Sequence, residues 1–163
     1  MELRHTLIAI SNDARGWLQA WSRDFTEREA AENGPGDGRP NPLAWQLGHL
    51  ACVEDEVGQL FGADGSVVPA RLRAVCTTGA PQPAPDTTYP PLPDLWALLE
   101  RTHERLLELV ERATPEDLDR APRTPNRFFT SLGQAVYEAA LHENYHVGEI
   151  GALRKALGKP RIG

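Results

Sequence analysis

Long apolar runs are missing from this sequence. The longest are short stretches such as Leu7–Ile10 and Ala139–Leu141, against the roughly 18 residues that a membrane helix needs, so no membrane span is expected. Cysteine is nearly absent. Cys52 and Cys76 alone are too few for a disulfide scaffold and read as reduced thiols, with one bridge between them left open. Positive charge is in deficit: 17 Lys and Arg face 23 Asp and Glu, for a net charge of −6. That leaves no basic footprint for a phosphate backbone, so no nucleic-acid partner is expected. Alternation of apolar and polar residues is never sustained, which argues against strands, and no repeat of fixed period occurs. The start, Met1-Glu2-Leu3-Arg4-His5, leads to polar residues by position 13 with no small-residue cleavage site. No secretion signal is read there, and a cytoplasmic protein is expected.

What is present is a chain of 163 residues, 40% of them hydrophobic, enough for one domain over 1–163 that encloses its own core. Leu3, Leu7, Ile10, Ala14, Trp17, Trp21 and Phe25 keep a three-then-four spacing. They predict one face of a first helix of about seven turns, ending before the Gly- and Pro-rich stretch that begins at Asn33. A second helix is predicted from Asn41 as N-cap and Pro42 at the first position to about Phe61. Its stripe is Leu43, Leu47, Leu50, Val53, Val57 and Leu60, with Trp45, His49 and Cys52 beside it. Residues 62–93 hold one short helix near Pro69–Val75 and then six prolines among positions 81 to 93. A link of ~30 residues is long enough to cross a bundle rather than force an antiparallel neighbour.

A third helix is predicted from Asp94 to near Ala113, with Leu95, Leu99, Thr102, Leu106 and Leu109 as its seam. Thr114-Pro115-Glu116-Asp117 reads as a fresh cap and a turn or two of helix. The fourth helix opens on Ser131-Leu132-Gly133-Gln134, a capping box in which Gln134 reaches back to the Ser131 amide, and closes at Gly158. The expected fold class is all-α, a four-helix bundle with a long proline-rich crossover between helices two and three.

The fourth seam runs Leu132, Val136, Ala139, then His142 and His146, then Ile150, Leu153 and Leu157. Two imidazoles at i and i+4 leave the same helix face one turn apart, close enough to ligate one divalent ion. His49 at the edge of helix two is the third candidate, because His5 lies in a fraying terminus and His103 falls on what should be a solvated face. Three histidines leave open positions on a metal, which suits catalysis more than a closed structural site. Cys52, one turn from His49, is a fourth ligand or, as free cysteine commonly is, a small core residue. The segment His142-Glu143-Asn144-Tyr145-His146 also fits the H-E-x-x-H pattern of metalloproteases, with Glu143 as base. No further histidine follows it and no edge strand is predicted to hold a peptide, so Glu143 reads instead as solvated or as a partner of the ligands. Trp45, Tyr89, Phe128, Phe129 and Tyr145 are candidate aromatics for a pocket mouth.

Trp45-Gln46-Leu47-Gly48-His49-Leu50-Ala51 and His142-Glu143-Asn144-Tyr145-His146-Val147-Gly148-Glu149-Ile150, followed by Leu153-Arg154 and Leu157-Gly158, resemble the DinB-like (YfiT-like) family of metal-dependent helical proteins. The resemblance implies an up-down-down-up order of helices, frequent homodimers, and one divalent metal, often zinc or nickel, held by a helix-two histidine and the H-x-x-x-H pair. Residue by residue, that set is His49, His142 and His146. Many members carry glutamine where this chain has Glu149, and some carry arginine at Val147. As a carboxylate, Glu149 is a candidate imidazole acceptor, weak ligand or base. Relatives implied by the resemblance are thiol transferases and isomerases that use low-molecular-weight thiols. The expected function is therefore a thiol-dependent S-transferase or related hydrolase acting on a small molecule. The alternative is a bundle that binds a metal or small molecule without catalysis.

Overall fold

The computed structural model describes residues 2–32, 40–81, 84 and 86–162. Among them are seven helices and no strand: α1 (Leu3–Ser22), α2 (Glu27–Ala31), α3 (Leu43–Leu60), α4 (Ala70–Cys76), α5 (Leu92–Arg112), α6 (Pro115–Asp119) and α7 (Leu132–Ala156). The glycine-rich stretch expected to form the first loop lies mostly outside the described residues.

The first helix is shorter than expected and differently oriented. It stops at Ser22, and Thr26 starts α2 through a capping box, its hydroxyl accepting the Glu29 N–H while the Glu29 carboxylate accepts the Thr26 N–H. Two orphan donors are satisfied at once, which favours a new start over a continued helix. The buried face of α1 is Leu7, Ser11, Ala14, Arg15, Leu18 and Ser22. Trp17, expected on the seam, is 58% exposed. Helix α3 begins one residue later than predicted, with Pro42 in the N-cap place and its carbonyl accepting the Gln46 N–H at 3.0 Å. Helix α5 begins two residues before Asp94. Pro93 fits its first turn because no amide is needed there. At α7, Ser131 Oγ caps the Gln134 amide as expected, but Gln134 Oε1 accepts the N–H of Thr130 at 2.9 Å, not that of Ser131. The helix closes at Gly158, whose φ of +69° is the left-handed turn that glycine takes without strain.

Cross-helix contacts give the order of the long helices. Arg15 meets Glu143, and Trp21 lies against Gly151, so α1 and α7 run parallel. Arg15 also meets the Leu99 carbonyl, and Arg4 that of Glu111, so α5 runs opposite to α1. Glu54 bonds Thr102, and Leu109 packs at Gly58, which makes α3 parallel to α5. Gln46 pairs with His146, and His49 with His142, leaving α3 antiparallel to α7. The result is the up-down-down-up arrangement, and the long crossover is the connection that two consecutive parallel helices require.

The interior has three levels. One apolar cluster gathers Leu18, Leu47, Leu50, Leu95, Leu99, Ile150 and Leu153, and a second gathers Leu7, Val57, Leu106, Val110 and Val136. Between them in chain position lies a buried ionic knot. Arg15 donates to Glu143 at 2.7 Å and to Glu54 at 2.9 Å, while Glu54 also accepts from Thr102 at 2.9 Å and pairs with His103 Nδ1 at 2.7 Å. All four long helices contribute to it. His103, expected in solvent, is therefore buried, because α5 turns Thr102 and His103 inward together. Burial works against the Arg15 charge, yet the adjacent Glu54 and Glu143 carboxylates outweigh it and raise its pKa.

Candidate metal centre

His49 is placed by the residues around it on α3. A Cβ at Gly48 would lie 2.8 Å from Cys76 Sγ and 3.2 Å from Leu72 Cδ1, so only glycine lets α4 close on α3 this tightly. That approach brings the Cys76 carbonyl to 2.6 Å from His49 Nδ1. One turn earlier, Trp45 stacks on the His49 ring, 4.7 Å between centroids and 12° between planes, and its indole N–H donates to the Val75 carbonyl at 2.8 Å. A carbonyl only accepts, so His49 Nδ1 carries the proton and Nε2 presents a lone pair.

On α7, His146 is constrained in the same way. Its Nδ1 lies 3.1 Å from Gln46 Oε1, while Gln46 Nε2 donates to the Asn41 carbonyl at 2.9 Å. The second bond fixes which end of the amide faces the ring. The three Nε2 atoms then converge: His142 Nε2 lies 3.4 Å from that of His49 and 3.2 Å from that of His146. Tetrahedral ligands at 2.0–2.1 Å from a zinc-sized ion stand about 3.3 Å apart. The donor group of His49, His142 and His146 therefore has the spacing that one divalent ion would take.

The electrostatics agree with that use. Burial lowers the His49 pKa despite the Cys76 carbonyl. Burial, and then His49, lowers His142 to about 4, and burial with both neighbouring rings lowers His146 to about 3. All three are neutral at pH 7, which is the ligating form. The rings open onto a cavity of about 450 Å³ whose other walls include Asn41, Trp45, Thr77, Thr78, Tyr145 and Glu149. The site thus has protein on one side and room for a small molecule on the other.

The profile of the DinB superfamily matches residues 12–150. The chain belongs to the DinB superfamily. Its members are metal-associated helical domains, and the stretch matched here contains all three histidines. No curated protein matches the chain.

Against the DinB frame, several sequence-based expectations need correction. Glu143 is 3% exposed, bonds Arg15 and lines no wall of the cavity, so it cannot serve as the base of an H-E-x-x-H site. Glu149 does line the cavity. Trp45 and Tyr145 stand at the mouth as expected, whereas Tyr89 lines a separate apolar cavity with Pro90 and Leu92. Phe129 packs against the far core and Phe128 is exposed. Cys52 and Cys76 are buried free thiols, both pushed up to about 12 by burial. Cys52 is a core residue and no ligand. A second group with donor atoms in reach of one another, Glu54, His103 and Glu143, already holds the Arg15 guanidinium where a cation would sit. Sequence reasoning missed Gln46 and the Thr77–Thr78 wall. The signal for Gln46 was a polar residue three positions before His49 in an otherwise apolar stretch.

Proposed function

We propose that this DinB protein is a divalent-metal-dependent enzyme that joins a low-molecular-weight thiol to a small electrophile, with hydrolysis of a related small molecule as the neighbouring chemistry. The observation that carries the reading is the convergence of three imidazole Nε2 atoms at 3.2 and 3.4 Å on the wall of an open cavity. Three protein ligands would leave an ion held there accessible from the cavity, as in catalytic sites and unlike closed structural ones. When bound, zinc or nickel supplies Lewis acidity, which favours the ionised form of a thiol or a water near it.

The protein's own groups would do the rest. Trp45 and Tyr145 flank the opening and provide flat apolar surface for a substrate. Glu149 is the carboxylate on the cavity wall and would take the proton that a thiol gives up as its sulfur bonds to carbon and the leaving group departs. Asn41 and the Thr77–Thr78 stretch offer hydrogen bonds for orientation. The same proposal has the protein act in the cytoplasm as a homodimer, for which the exposed Trp17, Tyr137 and Leu141 on α1 and α7 offer apolar surface.

The test uses cobalt as a spectroscopic stand-in for the native ion. Protein loaded with Co²⁺ is titrated with small thiols and with electrophiles. The reading expects a thiolate-to-metal charge-transfer band that grows with thiol and decays as electrophile is consumed. A spectrum indifferent to every thiol would overturn thiol transfer and favour a binding role without catalysis. His142→Ala should abolish the band while His5→Ala, outside the site, keeps it.

A further inference from the structure

Gln46 is 1% exposed and sits on α3 among Leu43, Leu47 and Leu50, all buried. An apolar residue would fill that place at lower desolvation cost, because a buried amide is tolerated only when both of its ends are bonded. Both are. The amino group donates to the Asn41 carbonyl at 2.9 Å and the oxygen faces His146 Nδ1 at 3.1 Å. Asn41 lies just before α3, so its carbonyl is not consumed by that helix. Flipping the amide would set its oxygen against the Asn41 carbonyl, two acceptors face to face, and lose that bond. The geometry admits one orientation, and that orientation dictates where the proton on the ring resides.

We propose that Gln46 is a positioning residue, which holds His146 in the Nδ1–H tautomer with its Nε2 lone pair turned toward His49 and His142, and which ties this ring to the cavity through Asn41. The inference rests on the metal reading for its consequence but not for the tautomer. Without Gln46, His146 has a free choice between its two nitrogens. A proton on Nε2 would satisfy the nearby His142 Nε2 and close the site to an ion. His49 has its tautomer fixed by a backbone carbonyl, so Gln46 is the one such partner in this pair that a side-chain substitution removes.

The experiment compares wild type, Gln46→Leu and Gln46→Glu, each labelled with ¹⁵N-histidine and stripped of metal. Long-range ¹H–¹⁵N spectra at pH 7.5 report the tautomer of His146, assigned through its own substitution. Wild type and Gln46→Glu should show Nδ1–H, since the buried glutamic acid in its neutral form keeps a C=O facing the ring and an O–H that can donate to the Asn41 carbonyl in place of the amide, and Gln46→Leu should show an Nε2–H or mixed ring. Zn²⁺ affinity, measured by chelator competition, should fall about 10–100-fold in Gln46→Leu and recover largely in Gln46→Glu. Gln46→Met replaces the leucine variant if that one does not fold. An Nδ1–H ring with unchanged affinity in the apolar variant would overturn the proposal. The expected tautomers in a wild type that takes up no Zn²⁺ would support the positioning role and overturn the metal reading.

Discussion

Gly48 illustrates how much of the site depends on atoms that are not there. A methyl group at 2.8 Å from Cys76 Sγ is inside van der Waals contact, so Gly48→Ala must push α4 outward and with it the carbonyl that holds His49. Overpacking of this kind costs about 1–3 kcal/mol, and losing the imidazole's acceptor weakens metal binding about 10–100-fold. Isothermal titration with Zn²⁺ on the folded variant checks the second figure. The three histidines predict a pH dependence of the metal-free protein. Each has a folded pKa below the unfolded value near 6.5, two of them at about 4 and about 3, so the unfolded chain binds more protons across that window. Stability is then full above about pH 6.5 and falls as pH drops toward 3, by up to about 1.4 kcal/mol per pH unit for each histidine that has to charge. Urea midpoints at pH 7.5, 5.5 and 4.5 test this against a variant with all three replaced by leucine, whose dependence should be shallower.

At the scale of elements, the ionic knot is what the linear pattern concealed. Arg15 and Glu54 stand beside Ala14 and Val53 of the predicted apolar stripes, and nothing within either helix singles them out, although each is the other's partner across the interior. His103 was misplaced for the same reason: its reason for being buried is Glu54, on another helix. Removing the one cation of this buried group leaves the Glu54 and Glu143 carboxylates uncompensated, so Arg15→Ala should destabilise by about 3–5 kcal/mol, measured by urea unfolding. The cap of α7 was legible because it is local. Ser131→Ala should cost about 0.5–2 kcal/mol with metal content unchanged. The Thr26–Glu29 box was equally local and was overlooked because the apolar spacing of α1 continues through Phe25.

Across the whole molecule, most of the architecture was readable. Helix periods and the length of the 62–93 connection are properties of the sequence, and a connection that long permits the parallel placement of α3 and α5. His142 and His146 were legible as a candidate ligand pair from spacing within one helix. His49 could be offered from sequence but joined to them only by the α3–α7 seam. The orienting partners, Gln46 and the Cys76 carbonyl, depend on which residues face each other across packed helices, and a backbone carbonyl carries no sequence signal at all.

The central claim is that α3 and α7 together hold one divalent ion. Elemental analysis of tag-free protein, beside His49→Ala prepared in the same way, tests it most directly. The account predicts about one zinc- or nickel-class ion per chain in wild type and little in the variant, with both proteins helical by circular dichroism. Wild type that remains metal-free after reconstitution, or a His49→Ala protein that binds as much, would contradict it.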